Sequence, residues 1–323
     1  MIKMAIIGPG SIAEKMANTI AGLEEVEAYA VASRDLEKAK AFADKFGFQK
    51  AYGSYKEMLE DKEVELVYVA TPHSHHYQHA KLCLEHNKHV LVEKAFTVNG
   101  KQAKELITLA ESKGLLLSEA IWTRYMPSRK IIDDIIARGE IGTPTSLMAN
   151  LGYNNSHLER MQKPELAGGA LLDLGVYLLH FAGMVFGKEV DKIVSTATMT
   201  DTGVDSRDSI TLIYKDGRTA VMHCSMLAVL DRRAVVFGTE GYLVVQNLNN
   251  PEKITVYNSE HQEVAVYNPP EQITGFEYQV LACKEAIEQG KTECEAIPHK
   301  EILRIMEMMD EMRTQWGYEI PTV

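Results

Sequence analysis

Residues Lys3–Ala13 read K-M-A-I-I-G-P-G-S-I-A. A short apolar run ends at Gly8, a second glycine follows at Gly10, and a small residue stands at Ala13. This is the G-x-G-x-x-A spacing of a dinucleotide-binding strand–turn–helix, and each small position has a physical task in it. Gly8 permits the tight turn out of the strand. Gly10 lets a pyrophosphate approach the backbone, and Ala13 lets the next helix lie close on the sheet. Ser11 and Glu14 read as a capping box that sets the helix start. A helix beginning with Ser11 and Ile12 turns unpaired N–H groups and its positive dipole end toward phosphates. Glycine-bearing turns are common, so the rest of the chain has to supply the context.

The context is a run of apolar strands separated by amphipathic helices. Strands are expected at Lys3–Ile7, Glu27–Ala32, Leu66–Ala70, His89–Val92 and Leu115–Ser118. Helices are expected at Ile12–Leu23, Leu36–Phe46, Ser54–Glu60, His75–His86 and Gly100–Ser112. Continuous apolar strands alternating with helices indicate a parallel sheet covered on both faces. With the glycine turn on the first strand, a doubly wound α/β domain follows. After Trp122 the texture changes. A helix over Pro127–Arg138, a strand near Ser146–Tyr153 and a polar loop to Gly169 lead into a strongly apolar helix, Ala170–Phe186. Short strands then fill Asp191–Tyr267, with Asp216-Gly217 as a hairpin turn between Ile210–Tyr214 and Thr219–His223. Two helices, Phe276–Gln289 and His299–Trp316, close the chain. The reading is a dinucleotide-binding domain over 1–121 and an α+β domain with a mostly antiparallel sheet over 122–323, the last helix (about 298–316) packing back on the first domain.

Bulk properties bound the function. The 323 residues carry 34 basic and 45 acidic side chains, a net charge of −11, which argues against general nucleic-acid or membrane-surface binding. No basic segment with a cleavage site precedes the first strand, and no apolar run reads as long enough to span a bilayer. Cys83, Cys224, Cys283 and Cys294 show no C-x-x-C pair or metal-finger spacing and read as reduced thiols of a cytoplasmic protein.

Several clusters carry chemistry. Twenty residues past Ala13, where an acid would bind a ribose 2′-hydroxyl, stand Ser33 and Arg34. A hydroxyl and a guanidinium suit a 2′-phosphate, so NADP is favoured, while Asp35 keeps NAD open. Thr71-Pro72 and Glu93-Lys94 end the fourth and fifth strands, at the sheet edge where ligands bind. Lys94 there reads as an anion-stabilising group beside a nicotinamide rather than a snorkelling loop charge. Asp173, Tyr177 and His180 share one face of the apolar helix. They face either a polar pocket, with the tyrosine as acid–base group, or a closed hydrogen-bond network. His73, His75, His76 and His79 invite a metal reading, but no acids accompany them, so they read as helix-start and pocket-rim residues and no metal is expected. Trp122, Arg124 and Tyr125 serve as pocket walls or as packing at the domain change.

In order, G-P-G-S-I-A, S-R-D, T-P-H-S-H-H, V-E-K-A, W-T-R-Y and G-G-A-L-L-D-L-G-V-Y-L-L-H together resemble the Gfo/Idh/MocA family, and within it the branch of dimeric dihydrodiol dehydrogenases and NADP-linked xylose dehydrogenases. The resemblance implies that Lys94 is the lysine of the E-K-P motif, near nicotinamide and substrate hydroxyl. It makes Tyr177 the branch's catalytic tyrosine and Asp173 the aspartate of the D-x-x-x-H motif. His73 stands where the family's T-P-N loop has asparagine, and Ala95 replaces the proline of E-K-P. The open face of the second sheet would form a homodimer or larger homo-oligomer.

The expected function is an NAD(P)-dependent, NADP-preferring oxidoreductase acting on a carbinol or carbonyl of a sugar, cyclic polyol or diol. Lys94, Tyr177 and Asp173 form its catalytic set. Gly8, Gly10, Ser11, Ile12, Ala13, Ser33, Arg34, Thr71, Pro72, His76, Glu93, Lys94, Trp122 and Arg124 are read as cofactor-binding. Substrate contacts are expected from Lys94, Trp122, Tyr153, Arg160, Tyr177 and His180, with Asn154, His157 and Glu277–Tyr278 nearby. Two alternatives stay open: an NAD-dependent glycosidase of the same family, and a cofactor-binding regulator without turnover.

Overall fold

The computed structural model describes residues 1–321. They form two compact units, Met1–Trp122 with Gln272–Met306, and Thr123–Glu271 with residues 307–321. The division therefore differs from a single cut after residue 121. Residues 272–306 are tied to the first unit by specific bonds. The Leu117 N–H donates to the Thr292 carbonyl at 3.0 Å, and His299 Nε2 lies 2.9 Å from the Leu117 carbonyl. The Thr19 and Thr274 hydroxyls share a hydrogen bond, and the rings of Trp122 and Phe276 meet edge-on at 4.9 Å.

In the first unit the strands are β1 (Ile2–Ile7), β2 (Val26–Ala32), β3 (Lys50–Tyr52), β4 (Leu66–Val69), β5 (His89–Glu93) and β6 (Leu117–Ala120). The helices between them are α1 (Ser11–Ile20), α2 (Leu36–Phe46), α3 (Tyr55–Glu60), α4 (His76–Glu85) and α5 (Gly100–Lys113). Every pairing in the sheet is parallel, in the order β3-β2-β1-β4-β5-β6 of a doubly wound dinucleotide fold. The apolar runs of β4 and β5 explain the layering. Val67, Tyr68, Val69, Val90, Leu91 and Val92 are fully buried, as a strand covered on both faces requires. Two expectations are corrected. The three-residue β3 carries no periodic signal and was not foreseen, and β6 begins at Leu117 rather than Leu115.

The second unit holds α6 (Pro127–Ala137), β7 (Pro144–Gly152), the one-turn α7 (Glu159–Gln162) and α8 (Val176–Phe186). Seven further strands follow: β8 (Val190–Met199), β9 (Asp205–Tyr214), β10 (Thr219–Ser225), β11 (Ala234–Gly238), β12 (Gly241–Gln246), β13 (Lys253–Asn258) and β14 (Glu263–Tyr267). They form an eight-stranded sheet ordered β14-β13-β12-β11-β7-β10-β9-β8. Only β7 and β10 run parallel. The Asp216-Gly217 turn joins β9 to β10 as expected, with Gly217 at φ 88°. Helix α9 (Glu277–Glu288) lies in the first unit, and α10 (His299–Trp316) gives its first half to the first unit and its second half to the other.

The apolar stretch before α8 is not one regular helix. Leu171–Gly175 forms a π-turn that runs directly into α8. By length and composition Pro164–Phe186 could cross a membrane, against the expectation that no run is long enough. Its window is 89% buried inside the protein, the state of a core helix.

Candidate active site

The glycine turn is built as its spacing requires, with one correction. Gly8 has φ 90°, and a Cβ there would stand 2.9 Å from the Thr71 methyl and 3.1 Å from the Ala70 carbonyl. The turn out of β1 thus presses against the end of β4, and only glycine fits. At Gly10 a Cβ would meet nothing within 4 Å. The backbone there borders open space, as a cradle for a pyrophosphate must. Ala13, in the first turn of α1, is fully buried. The Ser11–Glu14 capping box does not form. Helix α1 is capped by Gly10 without a side-chain bond, and Glu14 instead pairs with Lys45 at 2.9 Å. No side-chain oxygen therefore occupies the first-turn amides, which suits an anionic ligand.

At the end of β2, Ser33 is buried and its hydroxyl accepts the Asp35 N–H at 3.2 Å, while Arg34 is exposed. Asp35 caps α2, accepting the N–H groups of Glu37 and Lys38 at 3.0 and 3.3 Å. Its carboxylate is engaged by its own helix, and Arg34 is the charge left at the strand end. Arg34 acts electrostatically on Tyr55, His75 and His79: burial raises the tyrosine's pKa against the pull of Arg34, and Arg34 adds to the lowering of both histidines. Burial is the larger cause for both histidines and pushes His79 down to about 4. The rings of Tyr55 and His79 meet edge-on at 4.8 Å, and His79 Nδ1 lies 3.0 Å from the Thr71 hydroxyl.

The loops after β4 and β5 are joined by His76. Its Nε2 lies 2.8 Å from the Thr71 carbonyl and its Nδ1 2.8 Å from the Ala95 carbonyl. The ring is almost wholly buried, and burial pushes its pKa down to about 4 against the pull of the two carbonyls. His76 is thus a clamp between the two loops, where sequence reasoning had assigned it to the cofactor. Glu93, also buried, accepts the Tyr68 hydroxyl on one oxygen and the Lys94 N–H, at 3.1 Å, on the other. Burial pushes its carboxyl up to about 7, with Glu119 adding like-charge repulsion. Glu119 accepts the Phe96 N–H at 2.9 Å. Three buried groups therefore hold the turn at Ala95, where the family motif has proline, and the Lys94–Ala95 bond is cis. Lys94 itself is half-buried.

Trp122 is buried against Phe276, and the Lys15 ammonium lies 3.9 Å from its ring centroid and 4.3 Å from that of Phe276. Lys15 was missed because a lysine on an amphipathic helix looks like a solvated charge. Glu277, expected near substrate, is spent on structure. Its carboxylate accepts the N–H groups of Ile273, Thr274 and Gly275 at 2.8, 3.1 and 2.8 Å.

In the second unit the π-turn brings Asp173 and Arg160 together. Arg160 Nη1 donates to Asp173 Oδ1 at 3.1 Å, and Asn155 donates to Oδ2 at 3.3 Å. Asn155 was missed, since an asparagine in a polar loop has no distinguishing signal. Tyr177 and His180 follow on α8, both buried. Tyr153 is drawn elsewhere. Its hydroxyl donates to Asn249 at 3.1 Å and accepts from Arg232 at 3.3 Å. Asn154 and His157 are exposed. Among the described residues no group of three or more His, Cys, Asp or Glu side chains is placed to hold a metal ion.

Comparison with known proteins identifies the family. Residues 2–121 match the oxidoreductase family with an NAD-binding Rossmann fold, and residues 130–244 match the GFO/IDH/MocA C-terminal domain. The chain is 34% identical to the mouse trans-1,2-dihydrobenzene-1,2-diol dehydrogenase over 99% of its own length and 98% of the relative's. The human enzyme of that name is also 34% identical, with the same coverage. Among solved structures, a 3-ketoreductase from Actinomadura kijaniata in complex with NADP and TDP-benzene superposes with a TM-score of 0.88. It is 26% identical and covers 97% of each chain.

Proposed function

The chain belongs to the Gfo/Idh/MocA oxidoreductase family, and from that membership we propose that it is an NADP-dependent enzyme moving a hydride between nicotinamide and the carbinol or carbonyl carbon of a diol, cyclic polyol or sugar. The observation that carries the cofactor preference is the division of labour after β2. Asp35, the acid that would bind a ribose 2′-hydroxyl, is engaged in capping α2, while Arg34 is left exposed beside Ser33. The open space at Gly10 and the uncapped start of α1 fit a pyrophosphate. When bound, NADP supplies the hydride acceptor or donor.

The chain's own residues supply the rest. Tyr177 takes the proton of the substrate hydroxyl in oxidation and returns it in reduction. Lys94 stabilises the oxyanion that develops as that proton leaves. Asp173, fixed by Arg160 and Asn155, orients the turn that carries Tyr177. Substrate class rests on the activities of the relatives, a trans-1,2-dihydrobenzene-1,2-diol dehydrogenase and a 3-ketoreductase among them. The four cysteines are buried thiols rather than disulfides, which supports a reducing, cytoplasmic location. The exposed apolar side chains Met148, Val221 and Val229 near the middle of the second sheet support assembly into a homodimer through that face.

An absorbance screen tests the proposal, with aldoses, inositols, vicinal diols and dicarbonyls offered together with NADP(H) and, in parallel, NAD(H). Net reduction of NADP by a diol or polyol, or oxidation of NADPH by a carbonyl, is the expected result. Cofactor binding without turnover on the whole panel, or sugar release with no net change in cofactor, would refute it.

A further inference from the structure

Beneath the π-turn that leads to Tyr177 lie two aspartates, Asp205 and Asp208, 3% and 1% exposed. Both stand on β9. Asp205 Oδ2 accepts the Leu171 N–H, the first residue of the turn, at 2.5 Å. Asp208 Oδ2 accepts the Cys224 thiol at 3.1 Å, its directly opposite neighbour on β10. The other oxygen of Asp208 is buried, and no donor reaches it. The carboxyl groups of Asp205 and Asp208 lie within hydrogen-bonding reach of each other. Two buried carboxylates in contact cannot both be ionised. A proton on Asp208 Oδ1, donated to Asp205, removes the repulsion and satisfies the orphaned oxygen at once.

We propose that Asp205 and Asp208 share one proton, carried on Asp208, and that this acid pair is the post that sets the Leu171–Gly175 turn and through it the placement of Tyr177. The assignment of the proton follows from the neighbours. Asp205 accepts a short backbone N–H and lies in the field of Arg313, whose buried guanidinium pairs with Asp310. Asp208, apart from Asp205 itself, accepts from the neutral thiol of Cys224. Tyr318, the remaining titratable group near Asp205, is pushed up to about 12 by burial and by that carboxylate. Burial raises both carboxyls, and Asp208 is raised well above its ordinary value.

The glycines of G-G-A-L-L-D-L-G fit the same device. Gly169 has φ 114°, and a Cβ on it would overlap Asp205 Oδ1. A Cβ on Gly175, at the far end of the turn, would stand 3.5 Å from the Cys224 sulfur. The β9–β10 hairpin thus grips the turn at both ends. Asp205 and Asp208 are positioning residues here. The consequence for activity rests on the reading of Tyr177 as the acid–base group, whereas the shared proton does not.

The test uses the full-length protein. D208N replaces the donated O–H by an N–H and cannot titrate. Asp208 holds its proton in the folded state and releases it on unfolding, so native stability falls as pH rises from the ordinary carboxylate range through the raised value. D208N is expected to keep the melting temperature at neutral pH and to make that decline shallower, leaving only the part that other buried carboxyls such as Glu93 contribute. A decline of equal slope in wild type and D208N, or a loss of stability in D208N at neutral pH equal to that of D208A, overturns the shared proton. For the positioning role, D205A is expected to lower kcat on the order of ten- to a hundredfold while the KM for cofactor stays unchanged. D205N, whose amide oxygen can still accept the Leu171 N–H, should restore most of that loss. Unchanged kcat in a folded D205A, or no rescue by D205N, overturns the positioning role and leaves the proton result to stand by itself.

Discussion

In the proposed function, Arg34 is the residue on which cofactor choice turns. It is exposed beside a buried serine, at a strand end where Asp35 is committed to a helix cap. A charge-assisted bond to a 2′-phosphate contributes about 1.5–3 kcal/mol. Arg34→Ala is therefore expected to weaken NADP binding roughly ten- to a hundredfold and to leave NAD binding nearly unchanged, as read by titration of both cofactors. Equal losses for the two would remove Arg34 from 2′-phosphate recognition. Glu93 offers a second test at this scale. Its carboxyl rises from 4.5 to about 7 on folding because it is buried, so its contribution is present in full below 4.5 and is lost as pH climbs to about 7. Glu93→Gln is expected to flatten that part of the stability curve in a melting series across the interval. Parallel curves for the two proteins would show that Glu93 does not titrate there.

At the scale of elements, the site is made by loops at strand ends that are pinned to one another. Gly8 lies against Thr71 and Ala70, and His76 joins the loop at Thr71 to the loop at Ala95. Gly8→Ala introduces a Cβ at φ 90° and 2.9 Å from a methyl, and strain of this kind costs about 1–3 kcal/mol. A lowered melting temperature with weakened cofactor binding is expected in calorimetry and titration. A variant as stable and as tightly bound as wild type would mean the turn has slack that the structure lacks.

The elements legible in the sequence were those with a strong period or strong punctuation. Helix α2 appears at Leu36–Phe46 as expected because Asp35 and Gly47 mark both its ends, and β4 and β5 because unbroken apolar runs need a covered sheet. What escaped lacked such a mark. Strand β3 is three half-exposed residues completed by pairing with β2. The S-x-x-E pattern at Ser11 misled because Glu14 found Lys45, a partner 31 residues away. The π-turn has no periodicity of its own, since its shape is set by Asp205 from another strand.

At the scale of the molecule, the motifs revealed the family and its two kinds of sheet, but not how residues 272–306 return to the first unit. That return depends on bonds such as His299 to Leu117, between residues 182 positions apart with no pattern linking them. Of the candidate site, the glycine turn, Arg34, Lys94, Asp173 and Tyr177 were legible as motifs. The supports were not. Glu119, Asn155, Lys15 and Asp205 act through contacts that only the folded chain defines. Oligomeric state belongs to this scale too. Sedimentation of the wild type is expected to give a dimer, and a Met148→Lys, Val221→Lys double variant a folded monomer. A wild-type monomer at micromolar concentration would contradict the proposed sheet-face assembly.

The central claim is that this chain carries out hydride transfer with Tyr177 exchanging the proton. Single-turnover reduction of NADP by the best diol or polyol substrate, compared between wild type and Tyr177→Phe, tests it most directly. The account predicts unchanged NADP binding and a rate lower by about 10²–10⁴-fold in the variant. A variant that transfers hydride within a few-fold of the wild-type rate would contradict it.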